Sequence, residues 1–210
     1  MTPQAFVYTE LQLAIPFADA PWAEVNKTLL KQPGLLNKTW LAGVGNHSLG
    51  GIYAFDSLEN ATAFVTDYFP GEARRFGVAQ TTRLFEAGVI EEASRDMNSP
   101  HFGGVLRQSP GAYVYTEIQA SVPFEQGPWR KRNPVLKQVP GLMSKTWLSG
   151  LNTQSIGGLD AFDTIENATA FAVEAFPGTP ATLGAAYTTR IFDGAVVEQA
   201  SRQMRSPFYA

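Results

Sequence analysis

One stretch of this chain occurs twice. Pro33-Gly34-Leu35-Leu36-Asn37-Lys38-Thr39-Trp40-Leu41 returns 107 residues later as Pro140-Gly141-Leu142-Met143-Ser144-Lys145-Thr146-Trp147-Leu148. The same offset aligns Val7-Tyr8-Thr9-Glu10 with Val114-Tyr115-Thr116-Glu117, Thr81-Thr82-Arg83 with Thr188-Thr189-Arg190, and Ala93-Ser94-Arg95 with Ala200-Ser201-Arg202. The alignment needs no insertion, and roughly half of the paired positions are identical, which marks a duplicated domain. The period is too long for a solenoid unit, so each copy is expected to build its own helix-on-sheet core. The expected division is 1–103 and 104–210, joined through the Gly/Ser/Pro-containing stretch from Gly103-Gly104 to Pro110-Gly111.

Within one copy, residues 5–15 alternate as a strand ending at Pro16. Asp19 and Pro21 open a helix that Pro33-Gly34 stops. Strands are predicted over 35–43 and 49–56, with Gly45-Asn46 as the hairpin turn. Ser57 caps a second helix that carries Leu58, Ala61, Phe64, Val65 and Tyr68 at helical spacing, and residues 79–86 form a fourth strand before a short tail. The order β-α-β-β-α-β is the ferredoxin-like arrangement of an α+β fold.

Alternation divides the strands into two faces. Val7, Leu11, Leu13, Leu41, Ile52, Ala54 and Leu84 are expected to face the helices. Tyr8, Glu10, Gln12, Lys38, Trp40, Tyr53, Phe55, Arg83 and Phe85 are expected on the other face, an aromatic patch too large to leave in water. The second copy repeats it with Tyr115, Glu117, Gln119, Lys145, Trp147, Phe162, Arg190 and Phe192. Two such faces closing on each other predict an intramolecular pseudo-dimeric α+β barrel, packed sheet to sheet.

Pro33-Gly34-Leu35, Lys38-x-Trp40, Asn46-His47, Gly50-Gly51-Ile52-Tyr53-x-Phe55 and Arg83-x-Phe85 resemble the YdhR-like family of monooxygenases, small members of the dimeric α+β barrel superfamily. The resemblance covers nearly all of each copy. It implies a barrel pocket in which a small aromatic or polyketide-like substrate is oxygenated without a cofactor, the substrate's own enolate or phenolate passing an electron to oxygen. Isomerisation or cyclisation in the same pocket, and non-catalytic binding of a small hydrophobic ligand, are the competing readings. The family is ordinarily one domain per chain and homodimeric, whereas fusion here supplies both halves; whether the fused chain associates further stays open. Copy two departs where Asn46-His47 becomes Thr153-Gln154 and Tyr53 becomes Asp160, so any role for His47 or Tyr53 belongs to copy one alone.

Several side chains carry the candidate chemistry. Glu10 with Arg83, and Glu117 with Arg190, share a face on adjacent strands; each pair is either a general base with its oxyanion partner or a structural ion pair. Lys38 and Lys145 either bind a substrate oxyanion or pack on the tryptophans two residues on. Trp40 and Trp147, with Tyr8 and Phe55, either wall a flat ligand or fill a core. His47 is a proton-transfer candidate or a solvated turn residue, and Tyr53 is placed to hold a phenol or enol by hydrogen bond.

Composition narrows the field. The net charge of −3 and the lack of a basic run argue against nucleic-acid binding, and no apolar stretch reaches the roughly 20 residues of a membrane span. Without cysteine there is no disulfide, thiolate nucleophile or thiolate metal site, and His47 and His101 stand apart from any carboxylate at ligand spacing. Met1-Thr2-Pro3-Gln4 leads straight into a strand, so the expectation is a cytoplasmic protein.

Overall fold

The computed structural model describes residues 1–210. Strands β1 (Ala5–Leu11), β2 (Leu35–Gly43), β3 (Leu49–Phe55) and β4 (Gln80–Glu86) form the first antiparallel sheet. β5 (Ala112–Gln119), β6 (Leu142–Gly150), β7 (Ser155–Phe162) and β8 (Tyr187–Asp193) form the second. The order β1-β3-β2-β8-β5-β7-β6-β4 closes on itself, giving an α+β barrel of two ferredoxin-like halves. The halves are sewn by two short seams, Ala42 and Gly43 of β2 against Asp193 and Phe192 of β8, and Phe85 and Glu86 of β4 against Gly150 and Ser149 of β6. Closure removes the four edges that two separate sheets would leave unpaired.

Helices α1 (Trp22–Leu29), α2 (Leu58–Ala63) and α3 (Phe69–Phe76) belong to the first repeat. Ser57 caps α2 by accepting a hydrogen bond from the Asn60 amide, as its sequence position predicts. A π-helical turn over Phe64–Tyr68 carries the chain from α2 into α3, where Gly77 ends it in the left-handed region at φ 65°. The second repeat matches with α5 (Trp129–Leu136), α6 (Ile165–Ala170) and α7 (Gly178–Leu183).

The tail of each repeat is a helical arm, and the two arms are exchanged. Helix α8 (Glu198–Gln203) lies on β2, and α4 (Glu91–Asp96) lies on β6. Ser201 Oγ accepts from the Trp40 amide at 3.0 Å, the Lys38 amide donates to Met204 O at 3.1 Å, and Thr39 and Ser206 share a hydroxyl contact of 2.7 Å. Ser94, Met97 and Ser99 do the same for Trp147, Lys145 and Thr146. The seams pair only the ends of β2 and β6, and the arms satisfy the backbone donors that remain along them.

Register overturns half of the predicted face assignment. β1 and β4 point as expected: Tyr8, Glu10, Arg83 and Phe85 face the barrel interior, and Val7 and Leu84 face the helices. In β2 and β3 the faces are exchanged. Tyr53 stands opposite Val7 and Lys38, and Trp40 stands opposite Gly51, itself opposite Thr9, so Lys38, Trp40, Tyr53 and Phe55 all face the helices. Leu41, Ile52 and Ala54 line the interior in their place. Because side chains alternate with period two, one residue of register decides the face of a whole strand.

Candidate functional site

The barrel interior is packed. Tyr8 and Tyr115 stack across it with ring centroids 4.1 Å apart and planes at 8°, and Phe85 and Phe192 flank them. Each tyrosine hydroxyl donates to the carboxylate two residues on, Tyr8 to Glu10 and Tyr115 to Glu117, both at 2.9 Å. The expected ion pairs form, but between repeats: Arg83 meets Glu117 at 3.2 Å and Arg190 meets Glu10 at 3.6 Å. These groups join the two halves. Burial and the adjacent carboxylates push both tyrosine hydroxyls well above the ordinary range, which keeps them donors.

His47 sits exposed in the β2–β3 turn with φ 52°, away from the other candidates. Phe55 faces α2 and packs on Phe64, with ring centroids 5.3 Å apart. Neither Phe55 nor His47 lines either of the cavities described next.

Each repeat has a cavity between the outer face of its sheet and its helices. In the first, Lys38, Trp40, Tyr53 and Thr9 form the floor beneath Trp22, Tyr68, Phe69, Glu72 and Phe76. Its volume is about 40 Å³, room for a water molecule or two. Lys38 is buried, with Nζ 2.8 Å from the Trp40 ring centroid and 4.7 Å from that of Tyr53. Burial pulls its pKa well below the ordinary lysine value, against the pull of Glu72. Tyr68 is pushed up to about 12 by burial and by the charge of Glu72. Tyr53 is pushed up by burial, and its hydroxyl accepts from Thr9 Oγ1 at 3.5 Å.

The second cavity has the same frame and a different content. It measures about 500 Å³, within the range of small-molecule sites. Lys145 and Trp147 lie on the floor, Trp129 and Arg132 come from α5, and Phe171 and Phe176 close one side. Asp160, at the place of Tyr53, holds the Lys145 ammonium with both carboxylate oxygens at 2.9 Å, and both side chains are buried. Burial pushes the Asp160 carboxyl up while Lys145 opposes the shift. An ammonium has three N–H groups, so one remains for a ligand.

Glycine makes room for these lysines. A Cβ on Gly51 would collide with the Lys38 side chain, and one on Gly158 would collide with Lys145 Nζ. The tryptophans are fixed through asparagines. Trp40 Nε1 donates to Asn26 Oδ1 at 2.9 Å, and Asn26 Nδ2 donates to Ala200 O of the exchanged arm at 3.1 Å. Trp147, Asn133 and Ala93 repeat the chain at 3.0 and 3.0 Å.

Of the candidates read from sequence, Lys38, Trp40 and Tyr53 meet in the first cavity, and Lys145 and Trp147 in the second. Tyr8, Glu10, Arg83, Glu117 and Arg190 gather inside the barrel and across its seam instead. Sequence reasoning missed Arg132, Tyr68, Glu72 and the Asn26 and Asn133 relays. The asparagines did carry a signal, being identical polar residues inside both equivalent helices.

Comparison with known proteins agrees with this architecture. Residues 10–98 match the model of the family described as "Putative mono-oxygenase ydhR". No curated protein matches the chain. Among solved structures, an anthrone oxidase-like protein superposes with a TM-score of 0.56 at 14% identity, over 91% of each chain. A "putative monooxygenase" from Fusobacterium nucleatum subsp. nucleatum superposes with a TM-score of 0.51 at 10% identity, over 92% of this chain and 93% of that one. At these identities the superpositions establish the fold. Residues 10–98 lie within the first copy of the duplicated unit, so it is the first repeat that is similar to the ydhR family.

Proposed function

We propose that the second-repeat cavity binds a small aromatic or polyketide-like molecule and oxygenates it without a cofactor. The observation that carries this reading is a cavity of about 500 Å³ walled by Trp129, Trp147, Phe171 and Phe176, with the Lys145 ammonium on its floor. The similarity of the first repeat to the ydhR family, whose sequence the second repeat echoes, and the likeness to an anthrone oxidase-like protein support it.

A flat ring system lies between the aromatic walls, and its carbonyl oxygen accepts the free Lys145 N–H. That hydrogen bond strengthens as the substrate loses a proton and charge grows on the oxygen, which favours the enolate. Asp160 holds Lys145 in place and is itself held back from the cavity. The enolate gives one electron to O2, and the two radicals combine at the ring carbon. Loss of water from the resulting peroxide leaves a carbonyl. One oxygen atom enters the product, and the other leaves as water with the two hydrogens of the original methylene.

Oxygen uptake with anthrone as substrate and a chelator present tests the reading. The expected result is one O2 consumed per product, reduced at least tenfold in Lys145→Met/Asp160→Asn, which removes both charges together. Uptake no faster than the uncatalysed rate, or unchanged in that variant, would overturn it. Isomerisation through the same enolate would proceed with no oxygen consumed.

A further inference from the structure

We propose that the second cavity selects substrates that carry a carboxylate, held by Arg132 in the cavity wall, and that the first cavity is a closed copy that binds no such ligand. The substrate class rests on the reading above, while the charge recognition is argued independently from the differences between the repeats.

The two cavities share their floor and differ in what fills them. Leu13, Tyr68, Glu72 and Phe76 of the first are Ala120, Ala175, Thr179 and Leu183 at the equivalent places of the second. Each exchange shortens a side chain, in the direction of the larger second cavity, about 500 Å³ against about 40 Å³. One exchange goes the other way. Val25 of α1 becomes Arg132 of α5, which enlarges the side chain and adds charge to the wall of the open cavity.

Arg132 is half-buried and makes one side-chain hydrogen bond, from Nη2 to Thr179 Oγ1 at 2.9 Å. No carboxylate lies within ion-pair distance of it, unlike the neighbouring Arg130, which meets Glu92 at 2.9 Å. The fork of donors beyond the Thr179 bond matches the two oxygens of a carboxylate. The ionisable groups that line the cavity are Lys145 and Arg132, both basic; those lining the first are Lys38 and the acidic Glu72. With Asp160 behind Lys145 the second cavity keeps one uncompensated positive charge, and Lys131 on the same helix adds to the positive field.

The test is binding of anthraquinone-2-carboxylate against 2-(hydroxymethyl)anthraquinone, followed by calorimetry and tryptophan fluorescence. Both probes are already at the quinone level, so binding is read without turnover, and failure of the oxygenation reading leaves the result intact. The carboxylate is expected to bind roughly 10- to 100-fold more tightly, the range of a charge-assisted hydrogen bond, with one site per chain. Arg132→Val, the residue of the first repeat, should bring the two affinities to within about threefold, and Arg132→Lys should keep part of the preference. Ala175→Tyr should abolish binding of both. Equal affinities in the wild type, a preference that survives Arg132→Val, two sites per chain, or no binding of either probe would overturn the proposal.

Discussion

His101 sits where the two repeats meet, and its burial sets how the protein responds to acid. Its ring packs edge-on against Phe6 and Phe208, with centroids 4.8 and 5.4 Å away, and neither ring nitrogen finds a protein partner. Burial pulls its pKa down from 6.5 to about 3. Between these values the unfolded chain binds a proton that the native protein refuses, so the contribution to stability is complete above pH 6.5 and is lost as the pH falls toward 3. Two pH units below the unfolded value, near pH 4.5, the loss is about 2.7 kcal/mol. For a chain of this size that is a fall of about 5–10 °C in Tm from this one group. The second repeat has Phe208 at the equivalent position, so His101→Phe is a substitution that the fold already accommodates. The assay is thermal unfolding of both proteins from about pH 7.5 to 4.5. Other acid-sensitive groups are common to both, so the difference in slope isolates His101. The variant is expected to be at least as stable at neutral pH and to pull ahead by the stated amount in acid. Parallel losses in Tm would refute the assignment of a neutral, buried imidazole.

Three further outcomes follow from the geometry. Asp160→Asn leaves the Lys145 ammonium buried without its counter-charge and should lower stability by about 3–5 kcal/mol in urea unfolding, with most of it recovered in Lys145→Met/Asp160→Asn. Asn133→Leu strands Trp147 Nε1 and Ala93 O together, and a loss of about 2–4 kcal/mol with a red shift of tryptophan emission is expected. Residues 1–103 expressed alone should sediment as a homodimer, because Ser94, Met97 and Ser99 of the first arm match the residues with which the second arm docks on β2; a stable monomer would show that arm exchange is not needed to complete the fold.

The repeat and the strand order within each half were legible in the sequence, since identity at a fixed offset and strand-helix patterning report them directly; the closed barrel was read from an aromatic face of which only the β1 and β4 part, with Tyr8 and Phe85, lies inside it. β2 was read to the residue, and the Ser57 cap was where the sequence placed it. The facing of β2 and β3 was not legible, for a physical reason. In a barrel wrapped by helices both faces of a strand are buried, so Lys38-Thr39-Trp40-Leu41 shows none of the polar–apolar contrast by which alternation reveals an outside. The bulge between Leu35 and Asn37 removes what phase could have been carried in from the preceding turn. Because Lys38, Trp40 and Tyr53 share a face with one another, the site cluster survived the error. Its location moved, from inside the barrel to beneath the helices.

The pattern of identity between the repeats has a structural logic. Residues that bind one half to the other recur unchanged: Tyr8 and Tyr115 in the stack, Glu10 with Glu117 and Arg83 with Arg190 at the seam, Asn26 and Asn133 under the arms. Residues that fill the cavities differ: Tyr53 against Asp160, Tyr68 against Ala175, Glu72 against Thr179, Val25 against Arg132. In a homodimer every substitution falls in both cavities at once, and a change that opens one opens the other. Two large cavities in one small barrel would thin the packing on both sheets and draw on a stability margin of only about 5–15 kcal/mol. Fusion separates the two positions. The first repeat fills its cavity with Tyr68 and Phe76 and keeps its core dense, while the second exchanges bulk for space and a charged wall. The buried Lys145–Asp160 pair belongs to the same division. Lys38 packs on Trp40 in a closed cavity without a carboxylate partner, and burial pulls its pKa well down, whereas Lys145 on the floor of the open cavity is held by Asp160.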